Sequence, residues 1–327
     1  MAPASLAIAR SSATAPAYDK SRLGRPLHGL PLGIAAAMTS AAIWGSALTM
    51  TRLGVSGTTA FRPADIAMMR FFVPAVVLLP VLWRAWPRLK HVHPICLSLM
   101  MIGGGAPFVL VAGTGLQTAG AAEAGALLPG AIPLFVAALS VVLGESLGQQ
   151  RMFGLGMILI AIVVIAGPAV ATGDAVTWHG HVLLVTSATL QAFYAVALRR
   201  SGLRPFEAAA FVSTSSILAF APFYFLVSKP RVFDAPATEL FQQLAYQGTV
   251  PGLLTPVAFA IAVSRLGAAR AAAFGGLSPA AATLFGALLL GETPDFLTSV
   301  GVAIAGLGAV LVSGADLRWW GKGCSSP

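Results

Sequence analysis

The chain has 327 residues, of which 57% are hydrophobic and only 9% charged, with a mean hydropathy of +0.83. A soluble domain carries about 25% charged residues to cover its surface, so a water-exposed globular fold is excluded and the chain reads as an integral membrane protein. The net charge of +9, from 20 Lys and Arg against 11 Asp and Glu, is then first a signal of orientation in a bilayer and does not require a nucleic-acid partner.

Residues 1–30 lack an apolar core followed by a cleavage site, and read as a disordered cytoplasmic tail. Beyond them, about 20 apolar residues suffice to cross a hydrocarbon core as helix. Ten stretches qualify, near 31–53, 65–83, 95–116, 119–143, 151–171, 179–198, 206–228, 241–264, 268–290 and 296–314. Transmembrane β-strands would show alternating segments of about ten residues in place of such continuous runs. The expected fold is therefore all-α, with ten transmembrane helices and a second cytoplasmic tail at 315–327. The links at 117–118 and 265–267 are short enough to make tight helical hairpins.

With the N-terminus inside, fourteen basic residues fall on cytoplasmic segments, among them Arg84, Arg88, Lys90, Arg151, Arg199, Arg200 and Arg204. Only Arg62, Lys229 and Arg231 fall outside. The excess of basic residues in cytoplasmic loops predicts that both termini are cytoplasmic. Arg199 and Arg200 are read here as part of that orientation signal.

Sliding the sequence against itself by 147 residues aligns an ordered set of matches: Arg52 with Arg199, Gly105 with Gly252, Gly120-Ala121-Ala122 with Gly267-Ala268-Ala269, Leu143-Gly144-Glu145 with Leu290-Gly291-Glu292, and Gly154 with Gly301. The two copies occupy 31–171 and 179–314. Five spans is an odd number, so the second copy starts from the opposite side of the bilayer, and the repeat is inverted. Inverted repeats build many secondary transporters, with the substrate site near the midplane between the halves.

Taken together, Trp44-Gly45-Ser46, Arg70-Phe71, the repeated Leu-Gly-Glu, the glycines Gly154 and Gly301 and the prolines Pro133 and Pro279 resemble the drug/metabolite transporter superfamily, in particular its EamA-like ten-helix branch. Pro279 lies 13 residues before Glu292 and Pro133 lies 12 before Glu145, a one-residue departure in the first half. The resemblance covers 31–314 and implies a membrane permease, usually an exporter of small metabolites or drugs.

Ionisable residues inside spans are costly and are functional candidates. Arg70 lies about 8 Å and Glu123 about 6 Å from the outer ends of their spans, at 1.5 Å per residue, so the two could form an outer ion pair or gate. The structural alternatives are an Arg70 that snorkels to the headgroups and a Glu123 that only stabilises its helix start. Glu145 and Glu292 read as organisers of the turns that follow them, and Asp65 and Asp295 as helix N-caps. Trp44 and Gln191, matched by the repeat, fall near mid-depth, with Tyr194 one turn from Gln191. Together they could line a pocket for a moderately polar organic solute. Gly103-Gly104-Gly105 with Pro107, Pro129 with Gly130 and Pro133, Pro251-Gly252 with Pro256, and Gly275-Gly276 with Pro279 mark the third, fourth, eighth and ninth spans as broken, cavity-lining helices.

Cys96 and Cys324 suggest no disulfide, metal or nucleophile. The five histidines lie at span edges or in loops, and no hydrolase, metalloprotease or nucleotide-binding motif occurs. No catalytic residue, metal site or cofactor is therefore expected, and transport would run on a gradient, with protons as a candidate driving ion. The expected partners are a small-molecule substrate and the lipid bilayer, and the expected location is the bacterial cytoplasmic (inner) membrane. A receptor or regulatory subunit that binds a ligand without moving it is the alternative.

Overall fold

The computed structural model describes residues 30–57, 61–228 and 230–314. Within them the chain is helical between short turns. The elements are α1 (Leu30–Ser56), α2 (Pro63–Val77), α3 (Leu79–Leu89), α4 (Pro94–Gly104), α5 (Ala106–Gly115), α6 (Ala121–Leu127), α7 (Ile132–Val142), α8 (Gln149–Thr172), α9 (Ala175–Ser201), α10 (Pro205–Leu226), α11 (Ala237–Thr249), α12 (Thr255–Leu266), α13 (Ala268–Phe274), α14 (Ser278–Leu290) and α15 (Phe296–Val312).

Among the described residues, eight helical stretches are long and apolar enough to cross a bilayer, or nine if the pair α2 and α3 counts as one span. The two expected spans that fall short do so for different reasons. α15 is apolar but only 17 residues long. The second span, expected over 65–83, turns by 81° at Leu78. Pro80 has no N–H for the carbonyl one turn before it and disfavours helical geometry at Leu79, so the axis breaks there. α3 then carries Trp83, Trp86, Arg84 and Arg88, with Trp83 82% exposed, the composition of a helix lying in the interface.

Apart from the bent second span, the interruptions fall in the four spans rich in glycine and proline, at matching points of the two halves. The third breaks at Gly105 between α4 and α5, and the eighth passes through a π-helical turn at Val250–Leu254 that contains Gly252. The fourth breaks between α6 and α7, and the ninth passes through a 3₁₀ turn at Gly275–Leu277. A backbone amide freed inside a membrane needs another partner. At the first of these breaks, Ala106 N–H donates to the Ser216 hydroxyl on α10 at 3.1 Å.

Packing between the halves follows a two-fold exchange. α1 packs on α12 as α9 packs on α4 and α5, and α1 packs on α14 as α9 packs on α7. The contacts α2 with α10, α6 with α14 and α8 with α15 join corresponding parts of the two copies. The last is the closest. A Cβ on Gly154 would lie 2.7 Å from the Gly308 carbonyl oxygen, and one on Gly308 would lie 2.8 Å from that of Gly154. Without side chains the two backbones can meet there. The main core runs through both halves, from Leu48, Ile66 and Met100 to Leu127, Leu184 and Tyr224.

Candidate functional site

The repeated Leu-Gly-Glu does more than shape a turn. Gly144 and Gly291 both take left-handed backbone conformations, with φ of +86° and +67°, which residues with a Cβ rarely adopt. The chain reverses at each glycine, and the following carboxylate meets an arginine of the other half. Glu292 pairs with Arg52 at 2.7 Å, and Glu145 with Arg199 at 2.6 Å. Both residue types were matched in sequence, and the structure crosses them: the first-half arginine holds the second-half glutamate, and the reverse. Arg199 is thus more than an orientation signal.

The two pairs differ in surroundings. Arg52 and Glu292 are 18% and 29% exposed, while Arg199 and Glu145 are 51% and 46% exposed. Arg52 also donates to the Leu116 carbonyl at 2.7 Å, and Glu292 accepts the Ala121 amide at 2.8 Å, the first residue of α6. The Ser140 hydroxyl, and then Arg199, hold the Glu145 carboxyl below its usual range.

A polar cluster lies deeper, on α1, α2 and α11. Arg70 donates to the Gln247 side-chain carbonyl at 2.6 and 3.0 Å and to the Thr51 hydroxyl at 2.7 Å. Gln247 donates to Thr51 and to Gln243, and Gln243 donates to the Met50 carbonyl at 3.0 Å. Tyr246 donates to the Ser46 hydroxyl. All of Arg70's partners here are neutral, and among the described residues no carboxylate pairs with it. A guanidinium in a low-dielectric region is strongly favoured by an anion, so this cluster can hold one negative group and hydrogen-bond what is attached to it. Gln243, Tyr246 and Gln247 carry no signal of this cluster in the sequence beyond their spacing of three and four residues, which places them on one helix face.

The expected pairing of Arg70 with Glu123 does not form. Glu123 accepts the Gly120 amide at 2.8 Å, and the same oxygen lies 3.3 Å from His181 Nε2. The contact with His181 is at ion-pair distance without hydrogen-bond alignment, so both ring nitrogens of this buried histidine lack a hydrogen-bond partner. Glu123 faces α9 and Arg70 faces α11, and these different neighbours keep the two apart. The sequence marks His181 only as a span-edge residue, whereas in the structure it is buried at the N-terminal ends of α6 and α9. Together with Glu123, Asp174, Asp295, Thr298 and Pro168 it lines a cavity of about 210 Å³.

Trp44 and Tyr194 are partly buried and pack against the main core. The Tyr194 ring covers Gly104, where a Cβ would lie 2.7 Å from it. Gln191 Oε1 is buried without a hydrogen-bond partner. Asp295 caps α15 as expected, accepting the Thr298 amide at 2.7 Å. Asp65 is not an N-cap. It is the third residue of α2, fully buried, and accepts from the Arg62 amide, the Tyr224 hydroxyl and the Arg231 amide. Among the described residues, no group of three or more His, Cys, Asp or Glu side chains is placed to hold a metal ion.

The sequence matches the EamA-like transporter family over residues 31–167 and again over 178–314. The chain belongs to the EamA-like transporter family. The second match begins and ends 147 residues after the first, the register found by self-alignment. A solved structure, described only as the crystal structure of a protein, is 22% identical, with a TM-score of 0.59 over 89% of this chain and 99% of the other. It shows that the fold recurs. No curated protein matches the chain. Family membership makes this a membrane transporter of the drug/metabolite type.

Proposed function

We propose that this EamA-like protein is a ten-helix secondary transporter that exports a small organic solute by alternating access. Counting the bent α2–α3 pair and α15 as spans gives ten, in two inverted copies over 31–171 and 179–314. The excess of basic residues on one set of loops supports cytoplasmic termini, and the proposed location is a bacterial inner membrane. The observation that carries this reading is the pair of crossed ion contacts. With that orientation, Arg52–Glu292 lies at the outer face and Arg199–Glu145 at the inner face. Each joins the two halves, so each can latch one face while the other parts. Two pseudo-equivalent halves supply two states of similar energy, as alternating access requires.

The substrate region is the cluster around Arg70, with Trp44, Gln191 and Tyr194 as further candidate contacts and Glu123 nearer the outer face. Arg70 with neutral partners favours a solute carrying one carboxylate, and the glutamines and Tyr246 suit its polar remainder. Protons are the proposed driving ion. Reconstituted in liposomes, the protein should exchange radiolabelled benzoate faster than benzamide, and Arg70→Gln should remove that preference. Equal rates for the two probes, or a preference that survives Arg70→Gln, would overturn the assignment.

A further inference from the structure

We propose that His181 and Glu123 form a proton-binding site open to the outer side, and that filling it releases the Arg52–Glu292 latch. The inference rests on the carrier reading and its orientation, and it gives a role to His181, which that reading leaves without one.

His181 is only 1% exposed, and neither ring nitrogen has a hydrogen bond. A buried polar group left unpaired is costly, and such groups persist where they have a use. Nε2 lies 3.3 Å from Glu123 Oε2, and the ring faces the 210 Å³ cavity. The ionisable groups around it are mostly acidic. Glu123 is on α6, Asp174 caps its own helix, and Asp295 caps α15 across the cavity. Glu292, with Arg52, lies just beyond, at the next amide of α6. α8 contributes only the non-titratable Ile165, Pro168, Ala169 and Thr172 to the cavity, and the end of α5 contributes no titratable group. His179 is exposed on the far side of α9. Three carboxylates, those of Glu123, Asp174 and Asp295, therefore line the cavity with this histidine, and the Arg52–Glu292 pair lies beside them at the start of α6. The fitting ligand is a proton, since among the described residues no group of three or more His, Cys, Asp or Glu is placed to hold a metal ion and the ring nitrogens are the unsatisfied atoms.

The route from proton to latch is short. Glu123 Oε2 accepts the Gly120 amide, and Glu292 Oε2 accepts the adjacent Ala121 amide, each at 2.8 Å. A protonated imidazole offers Nε2–H to Glu123 as a charge-assisted donor. This draws the carboxylate away from the Gly120 amide. The start of α6 loses a cap, and with it the rigid placement of the Ala121 amide that orients Glu292 toward Arg52. Protons outside would then favour the state open to the outside.

The test needs no known substrate. In the full chain in lipid nanodiscs, with Cys96→Ser and Cys324→Ser, a cysteine is introduced by Thr298→Cys in the cavity and, separately, by Ser56→Cys at an exposed reference position on the same face. The rate of modification by a cationic methanethiosulfonate at the first, divided by that at the second, cancels the intrinsic pH dependence of the reagent. Between about pH 8 and about pH 6, the range of histidine switches, the ratio should rise about fivefold or more, the scale of an allosteric coupling. The rise should vanish in His181→Gln and in Glu123→Gln, the second variant serving if the first does not fold. No rise in the native background, or a rise that survives either substitution, overturns the proposal. A rise without solute flux would instead count against the carrier reading and leave the proton site standing.

Discussion

Glu292→Gln should loosen the outer latch while keeping the shape of the side chain and an acceptor for the Ala121 amide. Removing one partner of a fully buried ion pair costs about 3–5 kcal/mol, whereas exposed pairs are worth about 0–1 kcal/mol. Arg52 and Glu292 are 18% and 29% exposed and 2.7 Å apart, which puts the loss between these limits, at about 2 kcal/mol after solvent screening. If the latch opens locally, amide hydrogen exchange at the start of α6 reads the opening equilibrium directly. The Ala121–Ala124 amides should then exchange about 30-fold faster. Arg52→Gln should act in the same direction, and the double variant should be far from additive, because both singles break one contact. A change below about threefold, or strict additivity of the two singles, would refute the latch. Glu145→Gln should have a much smaller effect on its own face, since both members of that pair are about half exposed.

Three further outcomes follow from the same geometry. Arg70→Lys should fail to restore benzoate preference in the liposome assay, because a point ammonium cannot hold Gln247 and Thr51 together with a carboxylate in the way a planar guanidinium does. Gly308→Ala should lower thermal stability by about 1–3 kcal/mol through overpacking, since its Cβ would press on the Gly154 carbonyl at 2.8 Å; an unchanged melting temperature would contradict the close α8–α15 contact. The Asp295 carboxyl is held below its usual range by the Thr298 hydroxyl and amide. Its stabilising effect is therefore present above the unfolded value near pH 4 and lost as pH falls through the depressed folded value. The melting difference between the native protein and Asp295→Ala should accordingly shrink on acidification below about pH 4.

Much of the fold could be read from the chain because bilayer physics leaves few options. Continuous apolar runs require helices, and paired Gly and Pro motifs break them where the structure shows breaks, at Gly105 and Gly252 and again between α6 and α7 and at Gly275–Leu277. Local capping was legible at Asp295. What remained hidden depends on which helices meet. Arg52, Arg199, Glu145 and Glu292 were all visible as matched residues, but their crossing follows only from the interleaving of the two halves. His181 looked like a loop-edge residue because burial by the starts of α6 and α9 is not written in its own neighbourhood. Arg70 stood out, and its partner did not, since Gln247 is unremarkable until α11 lies against α2. The bend at Leu78 had a local signal in Pro80 that the apolar run concealed.

The central claim is that the crossed pairs latch opposite faces in turn. Spin-label distances measured across both faces of the same protein test it most directly, one pair of labels spanning the Arg52–Glu292 end and another the Arg199–Glu145 end. The account predicts opposite movements: Glu292→Gln lengthens the outer distance while the inner one stays short, and Glu145→Gln shifts the population the other way. Both faces widening together, or neither responding to its own latch, would contradict it.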